Sequence, residues 1–216
     1  MSRKRVQEKK KFSGKKKFVK GRAVKQKAVK PKKREIREWE KQGLIREGIF
    51  IGNQKGFGFV EVEGEEEDIF IPANATGTAM HQDHVQVLLG KEPKKGKRQE
   101  GTVIRILERA NQEIVGTFQR ERDYGFILCD NQKFSKDVYI SAKNSKGVRD
   151  GDKVVAEIID YGDASHKPEG RITENLGSIN APGTDILAIV KSYKIPSEFP
   201  IKVINQAMRV PDHVQE

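Results

Sequence analysis

The chain has 216 residues, of which 35% are hydrophobic and 34% are charged, so we expect small apolar cores beneath a highly charged surface. No apolar run approaches the length that crosses a membrane, and the single cysteine, Cys129, excludes an internal disulfide. This composition favours a cytoplasmic protein of a reducing compartment, without a membrane partner.

The excess positive charge lies in an N-terminal tail. Residues 1–34 contain 17 of the 42 Lys and Arg residues and one of the 31 acidic residues, so they carry +16 and the rest of the chain carries −5. Residues 1–33 are predicted to be disordered, because they bury too little apolar surface to offset chain entropy. Such a tail binds RNA or a ribosome through counterion release, with little sequence preference. A solvated tail that only aids solubility is the alternative.

Residues 34–45 are predicted to form a short helix and a linker. Ile36 and Trp39 are three residues apart on one helical face, and Gly43 is a plausible end of the helix. We favour packing of Trp39 on the first folded domain over stacking of its ring on a base.

Residues 46–110 are predicted to form a first β-domain. Short apolar or alternating segments predict its strands, and glycine-containing or polar turns separate them. Strands at such regular intervals are typical of a small barrel. The predicted strands cover residues 48–51, 55–63, 68–72, 83–89 and 101–107.

Residues 111–178 repeat this arrangement and predict a second barrel. Tyr124 and Phe126 correspond to Phe57 and Phe59 of the first unit. The segment Asp-Val-Tyr-Ile at 137–140 corresponds to Asp-Ile-Phe-Ile at 68–71, and a strand at 171–174 closes the second unit. The repeat is therefore a duplication on the scale of a domain.

The pattern changes after Pro182, where two helices are predicted. The first covers residues 185–190, with Thr184 or Asp185 as its N-cap. The second begins at Ser197, with a proline in its first turn, and reaches about Arg209. Both have apolar faces with little to pack against, so residues 179–216 are interpreted as the entrance to a missing domain.

The strongest functional signal is the segment Lys-Gly-Phe-Gly-Phe-Val at residues 55–60. Because side chains alternate along a strand, Lys55, Phe57 and Phe59 are predicted to share one face, with Phe70 beside the rings. A flat aromatic surface with a cation at one end suits the stacking of unpaired bases and contact with a phosphate. The core-facing residues are then predicted to be Val60, Val62, Ile69 and Ile71.

The second unit repeats the aromatic residues but not the cation, since Asp123 stands where Lys55 would be expected. Rings that merely fill a barrel core are the alternative in both units. The predicted RNA-binding residues are Lys55, Phe57, Phe59, Phe70, Tyr124, Phe126 and Tyr139.

No catalytic or metal site is predicted in these 216 residues. The acidic run at 63–68 is interpreted as a solvated loop. His81 and His84 lack a further cysteine or histidine at a spacing typical of zinc sites. Cys129 follows apolar residues without a basic partner and is interpreted as an unreactive thiol.

The motif at 55–60 together with Ile-Phe-Ile at 69–71 resembles the paired ribonucleoprotein motifs of cold-shock domains. Two such units, followed by Asn-Ala-Pro-Gly-Thr-Asp-Ile-Leu at 180–187, resemble the ribonuclease R family of 3′→5′ exoribonucleases over residues 46–210. The resemblance implies a mainly β fold with two tandem five-stranded OB barrels.

The resemblance also implies a processive exoribonuclease, in which the barrels guide single-stranded RNA into a catalytic domain where clustered aspartates hold Mg²⁺. That cluster would follow Glu216, so we expect a monomer that binds single-stranded RNA without a cofactor and does not cleave it. The sequence departs from the family at residues 52–54, which lack the usual tryptophan. Pro72 and Ser141 stand where single cold-shock domains often carry histidine.

Two alternatives remain open. One is a self-contained RNA-binding or RNA-chaperone protein that uses the same barrels. The other is a ribosome-associated adaptor, in which the barrels are a scaffold and the tail is an anchor.

Overall fold

The computed structural model describes residues 31–91, 96, 98–145, 147–163, 166–196 and 201–209. Residues 1–30 of the segment 1–33 that was predicted to be disordered fall outside this range, whereas Lys33 is the first residue of a helix. The helices are α1 (Lys33–Lys41), α2 (Thr184–Ser192) and α3 (Ile201–Ala207), with a 3₁₀ turn at Ala142–Asn144. The strands are β1 (Ile45–Gly52), β2 (Gly58–Glu61), β3 (Ile69–Ile71), β4 (His84–Leu89), β5 (Gly101–Glu108), β6 (Glu113–Arg120), β7 (Tyr124–Cys129), β8 (Val138–Ser141), β9 (Asp152–Asp160) and β10 (Glu169–Ser178).

Strands β1 to β5 form the first unit, a curled antiparallel sheet in the order β3-β2-β1-β4-β5. Its two edges approach each other, and among the described residues a single parallel bridge, from Phe70 to Glu100, joins them. Alternation along the strands separates a core face from an outer face, as predicted for this unit. Its buried core consists of Phe50, Val60, Ile69, Ile71, Val85 and Val87, with Val62 packed partly buried against it.

Strands β6 to β10 form a closed barrel in the order β10-β8-β7-β6-β9. The last strand closes it, because β10 pairs with β9 along one side and with β8 at Glu169 and Gly170 on the other. Register shifts bend β10 between these partners. The shorter β5 makes a ladder only with β4, which leaves the first unit a half-barrel. The predicted mainly β fold of two barrel-like units is confirmed.

A helix is present in each of the three regions where one was predicted, but the bounds and caps differ from the predictions. Helix α1 ends before Gly43, whose φ of +67° suits a glycine, and Trp39 is half-buried. Helix α2 is capped by Gly183 at φ +85°, so the predicted cap at Thr184 or Asp185 is wrong. Thr184 is instead the first helical residue and is buried.

Helix α2 packs on the second barrel through one small residue. Ala188 is buried against Val115 and Val155. The described side chains of α3 are all exposed, and its predicted start at Ser197 falls outside the described residues. Among the described helices, none is long and apolar enough to cross a membrane.

The two units are joined by a polar cluster around Arg109, which lies in the connection between β5 and β6. Its guanidinium donates to the Asp83 carboxylate at 2.6 Å and to the Thr78 carbonyl at 2.7 Å. It also stacks on the Tyr161 ring of the second unit at 3.7 Å. The buried Asp83 side chain additionally accepts hydrogen bonds from the backbone amides of Met80 and Ala110. Because these contacts involve residues of both units, they fix how the barrels sit together.

Candidate nucleic-acid interface

The first unit presents a cluster of three aromatic rings on its outer face. The ring centroids of Phe57, Phe59 and Phe70 lie 5.7–5.9 Å apart, and all three side chains are half-buried. Phe59 and Phe70 are paired across β2 and β3, while their neighbours Val60 and Ile69 point into the core. The structure thus brings together the three rings predicted from the sequence. We call them the first triad.

The first triad is not flat, contrary to the prediction. Phe57 and Phe59 meet edge to face at 88°, and Phe70 is tilted by 53° to each of them. Edge-to-face packing is favourable because the positive edge of one ring meets the negative face of another. The surface therefore offers separate, differently oriented stacking positions.

The second unit carries an equivalent cluster. Tyr124, Phe126 and Tyr139 have ring centroids 5.5–5.9 Å apart, and Phe126 pairs with Tyr139 across β7 and β8 as Phe59 pairs with Phe70. Tyr124 is 39% exposed. This second triad confirms the internal repeat in three dimensions.

Lys55 does not lie on strand β2, and Phe57 also precedes it. The predicted strand at 55–63 begins only at Gly58, since the chain turns between Asn53 and Phe57. The Asn53 side chain accepts a hydrogen bond from the Lys55 amide at 3.0 Å, and Gly56 adopts φ +88°. Local side-chain bonding of asparagine is typical of such turns. The Lys55 side chain is exposed on this turn, outside the strand that carries Phe59.

Each triad has a cation of its own that the sequence analysis missed. The Arg98 guanidinium lies 5.2 Å from the Phe59 centroid, and the Lys167 ammonium lies 4.4 Å from the Phe126 centroid. Both distances are in the range of cation–π attraction. Lys167 therefore gives the second unit the cation that is missing at Asp123, although its ammonium also pairs with Asp137 at 3.4 Å.

The two cations occupy equivalent positions. Arg98 precedes Gly101 by three residues, and Lys167 precedes Gly170 by three. Gly101 is the first residue of β5 and Gly170 the second of β10, and at both a Cβ atom would collide with core valine and isoleucine side chains. Aligning these glycines in the sequence repeat would have revealed both cations.

The glycines of the aromatic motifs are required by the core. Gly58 and Gly125 face inward, each toward a buried phenylalanine. A Cβ at Gly58 would lie 2.4 Å from the ring of Phe50, and one at Gly125 would lie 2.4 Å from the ring of Phe118. The motif therefore requires glycine so that a core phenylalanine can lie beneath it.

One ionisable group of the described part of the chain has a strongly shifted pKa, the thiol of Cys129. No group of three or more His, Cys, Asp or Glu residues there could hold a metal ion. Burial, with further contributions from Asp137 and Asp130, raises the pKa of Cys129 to about 12, so its thiol is protonated at neutral pH.

Comparison with known protein families gives two adjacent matches. A Ribonuclease B OB domain matches residues 48–106, and a cold shock domain matches residues 126–200. Ribonuclease R of Vibrio parahaemolyticus is 34% identical over 180 residues, which cover 82% of this chain and 21% of that protein. The chain thus spans about a fifth of the length of this curated relative.

Two solved structures share the fold. Ribonuclease R of Mycoplasma genitalium, solved in complex with ribose-methylated single-stranded RNA, aligns with a TM-score of 0.67 at 21% identity, covering 77% of this chain and 27% of that one. Yeast Ssd1, described as a pseudonuclease, aligns with a TM-score of 0.64 at 19% identity, covering 76% and 27%.

Proposed function

The chain is homologous to ribonuclease R over about four fifths of its length, and we propose that its two β-units bind single-stranded RNA and guide it in a ribonuclease R-like 3′→5′ exoribonuclease. The duplicated aromatic triad is the observation that supports this most directly. Each unit exposes three rings and a cation on the surface opposite its core.

The chemistry of the triads suits an unpaired strand. Every base has an aromatic face, so stacking tolerates any sequence and contributes roughly 1–3 kcal/mol per base. Arg98 and Lys167 can contact the phosphates that link bases stacked on the rings beneath them. Lys55 is proposed to contact a further phosphate from its exposed turn, and residues 1–34 to add affinity that falls steeply with salt.

The stacking role predicts a loss of RNA affinity when single rings are removed. Phe59→Ala or Phe126→Ala should weaken binding of a single-stranded oligonucleotide about ten-fold, because each removes one stacking platform. Fluorescence anisotropy at fixed salt measures the dissociation constant. Tyr193→Ala is the matched control, since Tyr193 is an aromatic residue 76% exposed outside both triads.

The same titration separates stacking from simple charge attraction. A duplex RNA of equal length hides its bases, so the alanine variants should bind it as the unmodified chain does. Equal affinity of all four proteins for the single strand would contradict the proposed function.

We also expect these 216 residues to bind RNA without shortening it. Incubation of the pure protein with 3′-labelled RNA and Mg²⁺, followed by gel electrophoresis, measures trimming. The intact label is the expected result because the described residues offer no metal-binding group. Stepwise release of labelled nucleotides that is abolished by a chelator would contradict it.

The C-terminal helices favour a guide within a larger assembly over a self-contained RNA-binding protein. Ile186, Leu187 and Ile189 of α2 are 46–63% exposed, and Ile201 of α3 is 75% exposed. Apolar side chains exposed to this extent are more often covered by a partner or domain than left in water.

A further inference from the structure

A cleft lies between the two units, next to the first triad. One wall is formed by the β1–β2 turn, which contributes Asn53 and Phe57, and by the segment at 76–81. The other wall is formed by the loop at 133–136 and by Tyr161 of the second unit. Phe57 therefore belongs both to the first triad and to the cleft.

The described residues that line the cleft include two lysines and no carboxylate. The Lys136 ammonium reaches across it and donates to the Gly77 carbonyl of the first unit at 3.2 Å. The Lys133 side chain makes no hydrogen bond or ion pair with another described residue. Two lysines and an aromatic ring in a lining without a described carboxylate favour an anionic ligand that carries an aromatic group, although Asp163 outside the lining lies near enough to act on the Lys136 ammonium.

One residue that lines the cleft has a buried polar atom in need of a partner. His81 is only 6% exposed, and its Nδ1 has no hydrogen-bond partner among the described residues. Burial, and secondly the nearby Lys133, lower the pKa of His81, so its imidazole is neutral at pH 7. Buried polar atoms are rarely left unpaired, so a ligand in the cleft would restore a hydrogen bond.

We propose that this cleft binds one nucleotide of a single-stranded RNA, with its phosphate at Lys133 and Lys136 and its base or ribose within reach of His81. The inference rests on the proposed function and extends it. A strand stacked on the first triad reaches the cleft at Phe57 and passes from there to the second unit.

The test compares neutral substitutions of matched lysines. Each lysine that contacts a phosphate contributes about 0.7 to the slope of log K against log salt for a single strand. Lys133→Gln and Lys136→Gln should each reduce that slope by about 0.7 and weaken binding about five-fold at 0.1 M salt. Lys143→Gln is the control, because Lys143 is an exposed lysine of the second unit outside the cleft.

Lys133→Gln is the decisive variant, since Lys136→Gln also removes the hydrogen bond to Gly77. Thermal unfolding shows whether either variant disturbs the fold. Photocrosslinking with 5-bromouridine RNA gives a second readout, and mass spectrometry should find crosslinks on the peptides that contain His81 or Phe134.

The outcomes separate this inference from the proposed function. Lys133→Gln and Lys143→Gln are compared in RNA affinity and in the slope of log K against log salt. If the two variants agree in both while Phe59→Ala loses affinity, the cleft proposal is overturned and the proposed function stands. If Phe59→Ala also binds normally, the proposed function fails as well. A reduced slope for Lys133→Gln with unchanged thermal stability supports the cleft as part of the RNA path.

Discussion

Replacement of Arg109 by alanine should destabilise the protein by about 3–5 kcal/mol, the cost typical of breaking a buried ion pair from one side. The Asp83 carboxylate is fully buried and 2.6 Å from the Arg109 guanidinium, whose side chain is 22% exposed. Without the guanidinium, a buried negative charge keeps only neutral hydrogen-bond donors, including the Met80 and Ala110 amides. The variant also loses the stacking of Arg109 on Tyr161, so the units should separate more readily.

Urea unfolding followed by circular dichroism measures the free energy of unfolding. Arg46→Ala is the matched control, because Arg46 pairs with Glu65 at 2.5 Å but both side chains are more than a third exposed. An exposed pair of this kind contributes at most about 1 kcal/mol. Faster hydrogen exchange at residues 76–81 and 133–136 would show that the junction has loosened. Equal stability of the two arginine variants would contradict the assigned role of Arg109.

This junction matters for RNA because it sets the geometry of the cleft. Thr78 lines the cleft and receives two hydrogen bonds from Arg109, through its carbonyl and its hydroxyl. Tyr161 lines the cleft from the other unit. The ion pair therefore holds the two walls of the proposed nucleotide site in register.

The strands and the triads could be predicted from the sequence because they depend on local alternation. Ile69, Phe70 and Ile71 are buried, half-buried and buried in turn, as a period of two requires. The repeat then carried the same interpretation from Phe59 to Phe126. Alternation does not report whether the edges of a sheet meet, so the half-barrel of the first unit was not distinguished from a closed barrel.

The features that the sequence did not reveal depend on turns and on distant contacts. Lys55 leaves the strand because one asparagine side chain bonds locally. Arg98 lies over Phe59, which is 39 positions earlier in the chain, so no local pattern connects them. The same holds for Arg109 and Asp83, whose pairing requires the long loop before β4 to fold back on the β5–β6 connection.

Replacement of Gly58 by alanine should destabilise the first unit by about 3 kcal/mol, near the upper end of overpacking costs. The new methyl would lie 2.4 Å from two carbons of the Phe50 ring and 2.7 Å from the Ile51 carbonyl oxygen. Phe50 is 3% exposed in the core, so its ring has little room to withdraw. Urea unfolding measures the loss, and RNA binding at low temperature reports on the neighbouring triad.

A smaller side chain at position 50 tests whether the collision with the Phe50 ring causes this loss of stability. Phe50→Leu alone should be destabilising, because it removes buried ring carbons. Combined with Gly58→Ala it should cost at least 1 kcal/mol less than the sum of the single changes, since the smaller side chain relieves the collision. If the two losses of unfolding free energy were strictly additive, the collision with Ile51, or a change in backbone freedom, would be the cause.

Because Gly125 stands over Phe118 with the same 2.4 Å approach, the second unit provides an independent repetition of the experiment. A coupling found in both units would establish that packing in the core, as well as the outer aromatic face, requires the aromatic–glycine–aromatic motif.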